Sequence, residues 1–387
     1  MRIAWPAVVL PILAALLSAC GEGFPDQEMH LGLEDKVRPY AITLEPPEAA
    51  PGDTVRVTLL ARVPRPDEVD IGWKVALDYD SGLYGVDDVE RNQRPLAAGE
   101  PEVDQDGFLS QSFLWVVPDS ALLYSSALPA VVDDPALVAI AAQLPGLGSG
   151  PTWRKDEIDA WLKGVSREDL AAMDAFTRAA VWGLADRFAC AVRFRATLRT
   201  NVVVDVTRNL TIRHTRRLDG PNTNHNTFVV SFEVVAVARR DASPADIDDP
   251  DVPQTRQVFV DSWGQRVADR IELPVDPGWT YFARGDFAAE SYTSPWDPGL
   301  VIDELALFRW YYYRQDAPGV EHALFVTDEG EDAEMWNLND VIRLEPDGPG
   351  STFRLLLVVR DSRREWDSFQ GTPGTGVAEG VVAFVEP

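Results

Sequence analysis

Two periodicities divide the chain. Within Tyr40–Glu45, Ile42 and Leu44 alternate with more polar neighbours, Pro46-Pro47 stops the run, and Pro51-Gly52-Asp53 reads as a turn. From Thr54 to Val63, Val55, Val57 and Leu59 alternate with Thr54, Arg56 and Thr58, the period of a strand with one buried face. Ile71, Trp73, Val75 and Leu77 then share one side of a third strand. The C-terminal third repeats this grammar. Leu305, Leu307, Arg309 and Tyr311 fall on one side of a strand, with Ala306, Phe308, Trp310 and Tyr312 on the other. Phe353–Arg360 reads as a long strand, Asp361–Arg364 as a turn, and the segment through Trp366 as its return. Gly374–Val385 closes the chain as a last strand with a glycine-marked bulge.

The period changes between Pro118 and Phe188. Pro135–Leu144 is helical in composition and ends at Pro145-Gly146, and Asp156–Lys163 is a second helical run ended by Gly164. Ser166 with Asp169 three residues on marks a helix start. Leu170, Met173, Phe176, Thr177, Ala180, Val181 and Leu184 then fall on one face of a single predicted helix. After it, Thr197–His214 reads as strands completing a first domain. Asp219–Thr227 is a run of turn-formers that marks a domain junction. Thr227–Val237 opens a second domain, an acidic, proline-containing loop spans Asp241–Gln254, and Asp269–Val275 is the next strand.

The order of Pro46, Pro47, Pro51, Gly52, Val55, Val57 and Trp73 resembles the opening of bacterial immunoglobulin-like domains, where a Pro-rich first hairpin precedes a strand bearing the core Trp. The closing hairpin and last strand are similar to those of immunoglobulin-like or PKD-like domains, which makes Trp310 the second domain's counterpart of Trp73. No Cys pair flanks Trp73, so the disulfide of antibody-type domains is absent. The expected fold is mainly β: two immunoglobulin-like β-sandwich domains, 37–219 and 222–387, the first carrying an α-helical insertion at about 118–188. The resemblance does not cover that insertion, which reads as a lid over one side of the sandwich.

The N-terminus belongs to neither domain. Arg2 precedes an uncharged run from Ala4 to Leu17. That run suits a secretory leader and is shorter than the ~20 residues a bilayer-spanning helix needs. Leu17-Ser18-Ala19-Cys20 closes it and resembles the lipobox of bacterial lipoproteins. The resemblance implies a signal peptide over 1–19 and lipid attachment at Cys20, with palmitate-type acyl chains. Two or more such chains anchor stably. Residues 20–36 read as a flexible tether. Gly21 stands where Asp often signals inner-membrane retention, so the resemblance favours the outer membrane, with the bilayer as first partner.

Charge narrows the remaining partners. With 62 acidic against 35 basic residues and a net charge of −27, nucleic acid is excluded, because its binding needs clustered Lys and Arg. Cys190 is the one thiol beyond Cys20, and its apolar setting reads as buried. Motifs for chemistry are missing. Of four His residues, His30 lies in the tether, while His214, His225 and His322 are far apart and form no metal-ligand spacing. Gly148-Ser149-Gly150 is not a nucleophile elbow. The expectation is therefore no catalytic residue, no metal and no cofactor.

Asp78-Tyr-Asp80-Ser-Gly82 begins like a calcium loop but has Val89 where the twelfth-position Glu belongs. Asp246–Asp251 and Asp328–Glu334 read as solvated acidic loops. Trp310–Tyr313, Trp279–Phe282 and Tyr292–Trp296 raise the question of sugar binding, with packing as the simpler role. Three functions fit: a structural or interaction lipoprotein with an unidentified protein or polysaccharide partner, a carbohydrate-binding module, and a hydrolase whose site lies under the helical insertion.

Overall fold

The computed structural model describes residues 28–387 except 33–36, 64, 66–67, 81–88, 105–106, 127, 148–151, 221–222, 224–229, 289–290, 294–300, 304–305, 316–319, 325–339 and 362–374. The lipobox-like Leu17–Cys20 segment therefore lies outside the described residues, as do His225, Trp296, Trp366 and the 328–334 loop. The chain is mainly β. The first strand, β1 (Glu28–Gly32), differs from the tether expectation: its backbone runs antiparallel to β20 (Val320–Leu324).

The alternation of the first hairpin becomes a sheet. It comprises β2 (Arg38–Glu45), β4 (Thr54–Arg62), β7 (Glu102–Val103) and β8 (Phe108–Val116), in the order β2-β4-β8-β7. Val55, Val57, Leu59 and Ala61 of β4 are buried. The turn before it closes through Asp53 N to Ala50 O at 3.0 Å, with Gly52 at φ 88°. Pro at the second and Gly at the third position is what such a turn requires. A second sheet contains β3 (Glu48–Ala49), β5 (Asp70–Asp80), β6 (Val89–Leu96), β11 (Ala189–Arg199) and β12 (Val203–Arg213), ordered β3-β12-β11-β5-β6.

The two layers pack face to face around one core. Trp73 is buried, meets Phe113 of the other sheet edge-on at 4.9 Å, and donates its indole N–H to Gln111 Oε1 at 2.8 Å. That bond satisfies the one polar atom the ring brings inside.

Between β8 and β11 run α1 (Ala121–Tyr124), α2 (Pro135–Ala141), α3 (Lys155–Gly164), α4 (Arg167–Ala172) and α5 (Ala175–Arg187), with a short ladder of β9 (Val131–Val132) and β10 (Trp153–Arg154). Ser166 and Asp169 form the expected reciprocal cap at the start of α4. The single helix expected after it is two. Asp174 accepts from the backbone N–H groups of Phe176 and Thr177 and starts α5 afresh. The break resets the helical phase, so Phe176 is 68% exposed while Val181 and Leu184 are buried. Ile158, Leu162, Val181 and Leu184 belong to the same core as Trp73 and Phe194.

After α6 (Thr215–Leu218), the second half forms another pair of layers. One has the order β14-β13-β16-β21, from β13 (Val230–Val237), β14 (Gln254–Val260), β16 (Thr280–Phe287) and β21 (Val341–Leu344). A small hairpin, β17 (Ser291–Thr293) with β18 (Val301–Asp303), stands apart. The other layer contains β15 (Arg270–Pro274), β19 (Ala306–Arg314), β22 (Thr352–Asp361) and β23 (Thr375–Val385), ordered β1-β20-β19-β22-β23-β15.

Trp310 of β19, 1% exposed, meets Phe232 of the facing layer at 5.3 Å. The bulge expected in the last strand is not there, since β22 and β23 pair in unbroken register from Thr352↔Ala383 to Arg360↔Thr375. Gly380 is needed for a different reason: a Cβ there would lie 2.5 Å from the Phe259 ring. The two bodies share a separate apolar cluster of Tyr40, Ala41, Tyr311, Leu356 and Val358, in which the Tyr40 and Tyr311 rings lie 4.5 Å apart. Arg208 of β12 donates to Thr375 Oγ1 of β23 at 2.7 Å within the same seam.

Candidate functional site

The polar residues that converge in the described structure do so where the helices meet the end of β12. Three consecutive residues there, Arg213, His214 and Thr215, are buried, and each meets a carboxylate from a different element. Arg213 pairs with Glu48 of β3, Nε donating to Oε2 at 3.2 Å and Nη2 to Oε1, while Nη1 lies 3.5 Å from Asp186 of α5. The Thr215 hydroxyl donates to Asp186 Oδ1 at 2.6 Å. His214 Nε2 lies 2.9 Å from Asp159 Oδ1 of α3, and Lys163, one turn along, donates to Asp159 Oδ2 at 2.7 Å.

Burial explains the protonation of this cluster. It pulls the His214 imidazole below its ordinary value, and the Asp159 hydrogen bond opposes this only in part. Burial also pushes the Asp159 carboxyl up. The hydrogen bonds from His214 and Lys163 outweigh that and hold it below the ordinary carboxylate value. His214 is therefore neutral at pH 7, with its proton on the nitrogen facing the carboxylate. Its other nitrogen, Nδ1, is buried with no hydrogen-bond partner among the described residues.

A His–Asp pair under the helices is what a hydrolase there would begin with. The charges of the seam also tie elements together. Glu48, Asp159 and Asp186 each hold a distinct element against β12 and α6, and a buried charge is tolerated because it is paired and hydrogen-bonded. Cys190 lies nearby in β11, its thiol 3.8 Å from the Ala121 carbonyl and pushed up to about 12 by burial, so it is no thiolate at pH 7.

The other sequence candidates sort similarly. Asp78 accepts from the Ser126 backbone N–H and hydroxyl, at 2.9 and 3.0 Å, and pairs with Arg91 at 3.3 Å. Asp248 takes Arg256 and Arg284, each at 3.0 Å, and Asp246 caps the turn at Ser243. Among the described residues, no group of three or more His, Cys, Asp or Glu is arranged to hold a metal ion. Trp310 is buried in the second core and Tyr311 in the cluster with Tyr40, and the Tyr281 hydroxyl is spent on the Pro274 carbonyl at 2.7 Å. Among the described residues the most exposed large ring is one that patterning did not single out: Trp263, 81% exposed in the turn after β14. Its only signal is the Asp-x-x-Gly turn at 261–264, whose Asp261 accepts the Trp263 N–H.

No family model matches the chain, and no curated protein or solved structure shows significant similarity to it. No helix among the described residues is long and apolar enough to cross a membrane.

Proposed function

We propose that this protein is an envelope-anchored interaction module. In this reading, acyl chains on Cys20 hold a body of two immunoglobulin-like sandwiches at the membrane, the outer one where the host has two. Residues 118–188 are a helical insertion in the first sandwich, and the body works by binding a protein or polysaccharide. The observation that carries the reading is the use made of the buried acid–base groups. His214, Asp159, Asp186, Glu48 and Arg213 join helices to sheet through buried polar contacts, an arrangement that serves rigidity. The shared Tyr40–Tyr311 cluster favours one stiff body rather than beads on a string.

The anchor and the binding role are tested together in cells. The intact chain should incorporate a clickable palmitate analogue and sediment with membranes, and Cys20→Ala should do neither. Labelling that persists in Cys20→Ala removes the lipoprotein reading. Photo-crosslinking from position 263 on the intact chain should give one discrete adduct, whereas none across growth conditions speaks against a partner at that loop. Turnover of an ester, peptide or glycan panel that is lost in His214→Gln while the fold persists would replace the binding role with a hydrolytic one.

A further inference from the structure

The last strand of the first sheet leaves part of its neighbour's edge open. β7 is two residues long and meets β8 only at Leu109 and Ser110. Backbone groups point alternately to the two sides of a strand. Val117 N donates to Asp53 O, on the β4 side, at 2.8 Å, whereas Phe108 O accepts from Asp104 N, on the β7 side, at 3.0 Å. By that alternation the N–H and C=O groups of Ser112, Leu114 and Val116 point away from β4. No strand among the described residues pairs with them there.

The side chains of the same three residues are exposed, Leu114 by 64% and Val116 by 60%. Their neighbours in sequence fix the strand from its other face. Trp115 is buried and edge-on to Phe194 at 5.1 Å, and Phe113 meets Trp73. The Ser112 and Thr58 hydroxyls share a hydrogen bond of 2.7 Å. From Ser110 to Pro118 the sequence carries no charge. The outermost strands β2, β6, β14, β15 and β21 each carry at least one Arg. Charge at a sheet edge discourages pairing with another chain, and the open part of β8 lacks that guard.

We propose that a second copy of this chain docks at this edge, β8 against β8, antiparallel about a two-fold axis through Leu114. Charge selects that occupant. Copies that each carry −27 repel one another, and the repulsion is least where neither surface is charged. A cationic partner is drawn instead to the acidic faces and gains nothing at this edge. In the two-fold register Leu114 faces Leu114 of the partner subunit, and Ser112 faces Val116 of the partner subunit on either side of the axis. These facing pairs exchange about six backbone hydrogen bonds, and the exposed Leu114 and Val116 side chains pack across the axis. β7 stops the ladder at Ser110, and the two-fold symmetry closes the contact at a dimer. The dimer requires neither the anchor nor a further partner.

The test is disulfide trapping in intact cells that produce the full chain. Facing residues of a hydrogen-bonded antiparallel pair lie about 5.5 Å apart at Cα, within the span of a disulfide. Leu114→Cys should therefore give a crosslinked homodimer on mild oxidation. Phe176→Cys, at a position 68% exposed on α5, is the control for chance collision and for the native cysteines, of which Cys190 is buried. Adding Val116→Lys to Leu114→Cys should lower the trapped fraction at least tenfold, because the register places that charge against the partner strand, while Val116→Thr should preserve it. If Leu114→Cys fails to accumulate, Ser112→Cys combined with Val116→Cys replaces it, since the two positions face each other across the axis. Homodimer no more abundant than with Phe176→Cys overturns the proposal. So does a crosslink to a different protein in its place, or a trapped fraction indifferent to Val116→Lys.

Discussion

Leu162→Ala tests whether the helices are part of the first core or a cover laid upon it. Leu162 is fully buried in α3 and belongs to the cluster that contains Trp73, Val75 and Phe194. Truncating a buried Leu costs the lost transfer energy plus a cavity term, about 3–4 kcal/mol where neighbours cannot collapse into the space. Collapse is resisted here because α3 is tied to β12 and α6 by the Asp159–His214 and Arg217–Val165 contacts. For a folding unit of 150–250 residues such a loss lowers the melting temperature by about 6–16 °C. Hydrogen exchange followed by mass spectrometry reads where it falls. The amides of β5 and β11 should lose protection together with those of α3, since they share one core. Phe176→Ala is the control: that ring is 68% exposed, and its removal should stay within about 0.5 kcal/mol. If Leu162→Ala leaves β5 and β11 fully protected while α3 exchanges freely, the helices are a detachable cover and the single-core account is wrong.

The buried imidazole makes stability depend on pH. The folded pKa of His214 lies below its ordinary 6.5, so the unfolded chain binds the extra proton first. Its stabilising contribution is complete above about pH 6.5 and is lost as pH falls toward the folded value. Melting curves from pH 7.5 down to 5 should therefore fall more steeply for the wild type than for His214→Gln, and equal slopes would refute the burial argument. Glu48→Gln removes the nearer counterion of Arg213 and leaves Asp186 at 3.5 Å. Urea unfolding should show a loss of about 3 kcal/mol, and a change below about 1 kcal/mol would mean the pair is not a structural tie. Trp310→Ala should cost the second sandwich about 3–5 kcal/mol, seen as lost amide protection in β13 and β22. Protection unchanged there would contradict its central position.

Short-range patterns were legible from the residues alone. Val55, Val57 and Leu59 alternate because one face of β4 meets the core and the other meets water, and Trp73 follows the same rule on β5. The Ser166–Asp169 cap was legible for a similar reason, as all of its atoms lie within one turn. The Leu17–Cys20 resemblance to a lipobox and the acidic balance are likewise read from the chain itself, without a fold.

Tertiary structure decided whatever depends on partners distant in sequence or on two-sided exposure. β6 (VERNQRPL) is mostly exposed and β14 is largely so; both are sheet edges, and a strand wet on both faces has no alternation to betray it. The second-helix break rested on a single aspartate, Asp174, whose backbone hydrogen bonds outcompeted continuation of an apolar stripe. Gly380 carried a glycine's ambiguity until Phe259 was seen lying on its backbone. His214 with Asp159 and Arg213 with Glu48 have no spacing that reveals them. Such pairs form because folding brings β12 and α6 against α3, α5 and β3, and a charge taken out of water there must find its counterion in space, not along the chain.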